Sequence, residues 1–182
     1  MKTKLILVFF LIINYSFAQN KTFKDNQFNW TMIVPEGCTI IKPKAWLKEK
    51  NKENTAKGYE IENEDNSKII VVMSFDSLNY FVAYRDFDLK KSSAFINLKK
   101  NMKEIHAKGQ KITGNNSNEK VKIANLEFNK VKFDYNFLDK SYICTEVYGA
   151  FINQKVFTVY VQYSDKQKGA QLIEILEKST FQ

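Results

Sequence analysis

The chain is poor in the residues that most chemistry needs. Its 182 residues include one histidine, two prolines, two cysteines and six glycines, and Arg85 is the single arginine. With His106 as sole imidazole, a Ser–His–acid or Cys–His catalytic set would have to use that residue, and no nucleophile elbow or cysteine motif surrounds a partner for it. A lone histidine without nearby thiols is also a poor start for structural zinc, which takes four ligands. The scattered glycines, among them Gly109 and Gly114, form no phosphate-cradling loop. Readers of nucleic acid lean on arginine for bidentate contacts, so its scarcity argues against that role. Outside the first residues no apolar run nears the ~20 residues that span a bilayer.

What is present begins with an N-terminal leader. Lys2 and Lys4 precede the apolar run Leu5 to Ile13, and Ser16 and Ala18 are the small residues a signal peptidase reads. Residues 1–18 are therefore expected to be a signal peptide, with a mature domain over 19–182 that is periplasmic or secreted. Nine apolar residues are too few to span a membrane, and no cysteine follows the cut to carry a lipid. Formal net charge is +8, or +6 once Lys2 and Lys4 leave. The joint bias toward Lys, Asn, Ile, Phe and Tyr matches an AT-rich genome, so the positive balance reads as composition.

Periodicity sets the expected elements. Phe28, Trp30, Met32 and Val34 alternate along a strand that Pro35-Glu36-Gly37 stops. Thr39 to Lys42 extends the sheet. Residues 45–57 form a polar surface helix or connection, with Trp46 and Leu47 as its large apolar residues. Tyr59 and Ile61 suggest a short strand, and Lys68 to Phe75 a central one, apolar on both faces. Tyr80 to Arg85 is a strand or the approach to a helix. Phe95, Leu98, Met102 and Ile105 have helical spacing, closed by Gly109. Gly114 to Asn118 reads as an exposed loop. Leu126 to Phe137, Ser141 to Ile152 and Lys155 to Tyr163 are successive strands, with hairpins at Asp139-Lys140 and Asn153-Gln154. Asp165 caps a last helix, with Ala170, Ile173 and Leu176 inward. Antiparallel strands with separate helices make an α+β domain, its antiparallel sheet covered by helices.

Several clusters have a chemical and a bland reading. Cys38 and Cys144 are a candidate disulfide in an oxidising compartment, closing a loop of 106 residues worth roughly 4 to 5 kcal/mol; the alternative is two buried thiols. Lys99, Lys100 and Lys103, on the mid-chain helix, are a candidate contact for anionic lipid or surface polymer, or simply its wet side. Glu60, Glu62, Glu64 and Asp65 lack the Asp-Gly pattern of a calcium loop. Asp86 and Asp88 read as helix cap and surface charge before a glycosidase pair. Asp76-Ser77-Leu78 fits a short O-glycosylation tripeptide, with Ser77 as acceptor. No residue is assigned as catalytic, metal-binding or cofactor-binding.

The opening FNWTMIVPEG resembles the first strand of PsbP-like domains, a group that includes the yeast Ran-binding nuclear import factor and many exported bacterial proteins. The resemblance extends to element order: a mid-chain helix over Phe95 to Lys108, long strands over Leu126 to Tyr163, and a last helix with a Ser/Thr-Phe tail over Lys166 to Phe181. Cys38 departs from it, standing where many members carry Trp. The resemblance implies an α/β/α sandwich and a mostly non-enzymatic group that binds other proteins. The expected function is an exported, non-catalytic envelope module that binds a protein or serves as an accessory. The alternatives are an anionic-surface binder and an uncharacterised hydrolase.

Overall fold

The computed structural model describes residues 21–56, 58, 66–86, 113–136 and 141–182. The expected leader, the strand at Tyr59, the helix around Phe95 to Ile105 and the hairpin at Asp139-Lys140 lie outside these residues. Strands β1 (Lys21–Asp25), β2 (Trp30–Val34) and β3 (Thr39–Ile41) lead into helix α1 (Pro43–Ala56). A 3-10 turn (Asn66–Lys68) precedes β4 (Ile69–Asp76) and β5 (Asn79–Arg85). Then come β6 (Thr113–Ile123), β7 (Leu126–Asn136), β8 (Tyr142–Ile152), β9 (Lys155–Tyr163), helix α2 (Lys166–Glu177) and β10 (Thr180–Phe181).

Among the described residues seven strands form one sheet in the order β3-β4-β5-β9-β8-β7-β6, and β1-β2-β10 form a second. Every described pairing is antiparallel, and helices lie on both sides of the large sheet, so the expected α+β architecture holds. Alternation along the strands sorts residues between two cores. On one face Met73, Phe81, Phe128, Phe157, Val159 and Val161 pack against Trp30 and Met32 of the small sheet and Leu172 and Leu176 of α2. On the other, Val72, Tyr80, Val82 and Tyr84 pack against Trp46 and Leu47 of α1. Two register shifts in β4, at Ile69/Val71 and Ser74/Asp76, each insert an extra residue. The first brings Ile69 onto the α1 face with Val72 while Val71 turns to the other.

Some expectations need correction. The periodic pattern read from the sequence starts at Phe28, yet strand β1 precedes it, and its Phe23 meets the Trp30 ring edge-on at 5.9 Å. Gly114 to Asn118 is no loop: it is the first half of β6, paired with β7 over all eleven residues. An edge strand needs only one partner and tolerates polar residues on both faces. In α2, Ala170 is exposed; Gly169, Leu172, Ile175 and Leu176 face inward. Gly169 lies so close to Tyr163 that a Cβ there would stand 2.4 Å from the ring. Asp165 caps the helix as expected, accepting from the N–H groups of Gln167 at 2.8 Å and Lys168 at 3.1 Å. The turns Ala124-Asn125 and Asn153-Gln154 hold both residues at positive φ, the mirror-image geometry that suits two-residue hairpins.

Candidate functional site

Helix α1 starts where Pro43 fixes φ and needs no N–H partner, and the Lys42 carbonyl accepts from Ala45 and Trp46. The helix is polar, and Trp46 and Leu47 alone are buried. Trp46 meets the Tyr80 ring edge-on at 4.6 Å, and Tyr80 stacks on Tyr160 at 5.9 Å. The Lys50 ammonium sits 4.8 Å from the Trp46 ring centre and 4.5 Å from that of Tyr80, and 3.4 Å from Glu53. So narrow an apolar stripe does not close the sheet face. Between α1 and the β3–β4 edge a cleft of about 660 Å³ stays open, lined by Ile41, Trp46 and Phe75 with Glu49 and Lys52 among its charged residues. That volume falls in the usual range for ligand sites.

The wall opposite α1 is braced. The Asp76 carboxylate accepts from the N–H of Leu78 and Asn79, and Lys168 of α2 reaches it at 2.6 Å. Buried Asn79 accepts in turn from the N–H groups of Ser164 and Asp165, both at 3.0 Å. Burial pushes the Asp76 pKa up, but the hydrogen bonds from Lys168, Asn79 and Leu78 and the lysine charge outweigh it, leaving about 2. The β4–β5 turn is thereby tied to the start of α2, and Ser77 stands exposed on it at the cleft.

A second polar group lies on the opposite face. Glu146 of β8 is 2% exposed, yet shares a face with Cys144, Tyr148 and Ala150. Tyr148 donates to it at 2.6 Å and Tyr163 at 2.9 Å; Lys130 stands 3.2 Å away and Lys132 3.8 Å. Burial alone would raise the Glu146 pKa; the tyrosine hydrogen bonds and the Lys130 charge lower it instead. Tyr148 and Tyr163 are pushed far up by burial and by Glu146. Each carboxylate oxygen is taken up by groups of the protein, so Glu146 is an ionised structural brace rather than a base facing substrate.

The residues singled out from the sequence do not converge. Cys38 and Cys144 are free buried thiols, not a disulfide. Cys38 directly precedes β3 while Cys144 is in β8, four strand steps along the sheet. At about 4.8 Å per step the two stand roughly 19 Å apart, against the ~6 Å a disulfide allows. Burial pushes the Cys38 thiol up to about 11 and raises Cys144 too, which disfavours the thiolate form at both. Asp86, at φ 50, accepts from the Val156 N–H at 3.3 Å and donates its own N–H to the Val156 carbonyl, closing the end of the β5–β9 pair. Lys99, Lys100, Lys103, His106, Asp88 and the Glu60 to Asp65 cluster lie outside the described residues. Among the described residues no group of three His, Cys, Asp or Glu could hold a metal. The sequence marks Trp46 only as an apolar residue of a polar helix and gives Lys50 and Glu146 no role. The available signals were a tryptophan in a polar helix and a lone carboxylate at a core position of an apolar strand.

No family model and no curated protein matches the sequence. Solved structures do: the solution structure of cyanobacterial PsbP (CyanoP) from Synechocystis sp. PCC 6803 superposes with a TM-score of 0.50, over 92% of this chain and 95% of that one, at 6% identity. The fold is PsbP-like. At that identity the likeness speaks for the PsbP-like architecture alone, so function rests on the geometry above. No described helix is long and apolar enough to cross a membrane.

Proposed function

We propose that this chain is an exported, non-catalytic binding module that seats an extended apolar stretch of an envelope protein in the cleft between α1 and β3. The observation that carries this reading is the cleft itself. It is an open volume of about 660 Å³ with Trp46, Ile41 and Phe75 in its lining, beside a strand that pairs with β4 alone among the described residues. A partner segment lying along β3 would gain main-chain hydrogen bonds from that edge and place an alternate side chain against Trp46. Export is supported by the leader pattern of residues 1–18, and a single domain over 19–182 by the PsbP-like architecture. The resemblance to a mostly non-enzymatic group points the same way, as does the enclosure of Glu146 and both thiols.

A photo-crosslinking amino acid at Glu49, in the cleft, is compared with one at Lys155, exposed at the start of β9. Adducts with one envelope protein are expected from position 49 and not from 155. They should disappear in Ala45→Trp, which fills the cleft from the exposed face of α1. Equal labelling from both positions, or adducts that survive Ala45→Trp in a folded protein, would count against the cleft. N-terminal sequencing of the exported form should begin at Gln19; a retained leader would refute the export reading alone.

A further inference from the structure

Among the described residues the large sheet ends on β3 at one side and β6 at the other, and these edges differ. β3 has three residues, whereas β6 runs for eleven, Thr113–Ile123, and pairs with β7 in one unbroken register from Thr113↔Asn136 to Ile123↔Leu126. Proteins blunt such edges with prolines, bulges or outward charges. Here β6 carries no proline and no register shift, and Thr113 to Asn118 carries no charge. Lys120 is drawn back to β7 by Glu127 at 2.7 Å, and Glu119 by Lys130 at 3.3 Å. Ser117 to Lys120 are exposed. Among the described residues the edge pairs with β7 alone, and its charges are confined to its second half, Glu119 to Lys122, in a protein that bends its interior strand β4 twice.

We propose that β6 is a self-association edge, pairing antiparallel with β6 of a second copy across a two-fold axis at Asn118 and so joining two seven-stranded sheets. The two-fold axis of an antiparallel pair is perpendicular to the sheet, so only residues of equal parity oppose one another. The full-length register then fixes every partner. Asn118 faces Asn118 of the second copy, Ser117 faces Glu119, Asn116 faces Lys120, Gly114 faces Lys122, and Thr113 faces Ile123. The uncharged half of each strand meets the charged half of the other. No like charges are opposed, the arrangement that would destabilise a pair of strands. The strand is complementary to itself in this register.

Asn118 on the axis gives a clean test. In Asn118→Lys and in Asn118→Asp, like charges meet at the centre of the interface; in an equimolar mixture Lys meets Asp. Sedimentation equilibrium of the purified wild type should show a concentration-dependent shift from one chain toward two. Each variant alone should stay at one chain, with unchanged circular dichroism, and the mixture should regain the two-chain mass. A wild type with the mass of one chain throughout, or variants that associate as well as wild type, overturns the proposal. So does a monomer whose β6 amides gain exchange protection only from the strand of a different protein.

Discussion

On one face of the seven-stranded sheet, Phe81, Phe157 and Phe181 crowd the Trp30 indole at ring distances of 5.0 to 6.2 Å, under a second sheet and α2. On the other, Val72, Tyr80 and Val82 meet the two apolar residues of a polar helix, and an open cleft remains beside them. The hydrophobic effect scales with the area withdrawn from water, so the first face carries most of the stability. The second is covered only enough to place Trp46. Fold and site are thus assigned to different sides of the same strands, and substitutions should separate them.

The largest expected effect is Trp30→Ala. Trp30 is fully buried among four aromatic rings, and truncation leaves a cavity that its strand neighbours cannot close. A loss of about 3 to 5 kcal/mol is expected in urea unfolding. Where the variant is still folded, cleft binding should be unchanged. A loss below about 1 kcal/mol would mean that this face is not the main core.

Glu146→Gln tests the charged brace within that core. Gln retains one acceptor for the two tyrosines but leaves Lys130 and Lys132 without their shared anion. About 3 kcal/mol is expected, the lower end for breaking a buried pair, because both lysines are partly exposed and keep a path to water. A neutral result would show that the carboxylate's desolvation cancels its contacts.

Trp46→Ala reverses the pattern. The ring borders the open cleft, so its removal leaves a space that water can enter, and about 2 kcal/mol is expected from lost burial alone. Cleft-dependent crosslinking should nonetheless be abolished. Binding that survives would place the ligand elsewhere.

The sequence is readable where one face of a strand is dry and the other is not. β2 and β9 alternate cleanly, and Asn153-Gln154 lies where two long patterns meet. Asp165 announces its helix because a carboxylate before an apolar repeat satisfies open N–H groups. Legibility fails where partners lie far away in the chain. β6 is polar and looks like a loop until β7 supplies a ladder for it. Gly169 carries no apolar signal, yet it is the inward residue because Tyr163 fills the space a side chain would take. The disulfide was allowed by compartment and excluded only by strand order, which no local pattern encodes. The cleft is a shortage of apolar residues on α1, visible in the sequence as a weak helix but not as a cavity.

The smallest effect concerns the corner where the two faces meet. Asp76 ties the β4–β5 turn to Lys168 of α2, and its pKa in the folded protein, about 2, lies below the ordinary 3.8. A carboxylate more acidic when folded stabilises the fold at pH above its unfolded value and loses that contribution as the pH falls through the folded one. The Asp76 contribution is therefore full above about pH 4 and gone near pH 2. Asp76→Asn keeps an oxygen for the Leu78 and Asn79 N–H groups and removes the charge facing Lys168. Between pH 4 and pH 2 the unfolding midpoint of the variant should fall less steeply than that of wild type. At neutral pH the difference should be small, since the pair is more than a third exposed on both sides and solvent screens it. Glu146, also depressed, gives both proteins a common acid slope, so the Asp76 share is read from their difference. Parallel curves would mean that the turn is held by Asn79 alone and that Lys168 adds nothing to the wall of the cleft.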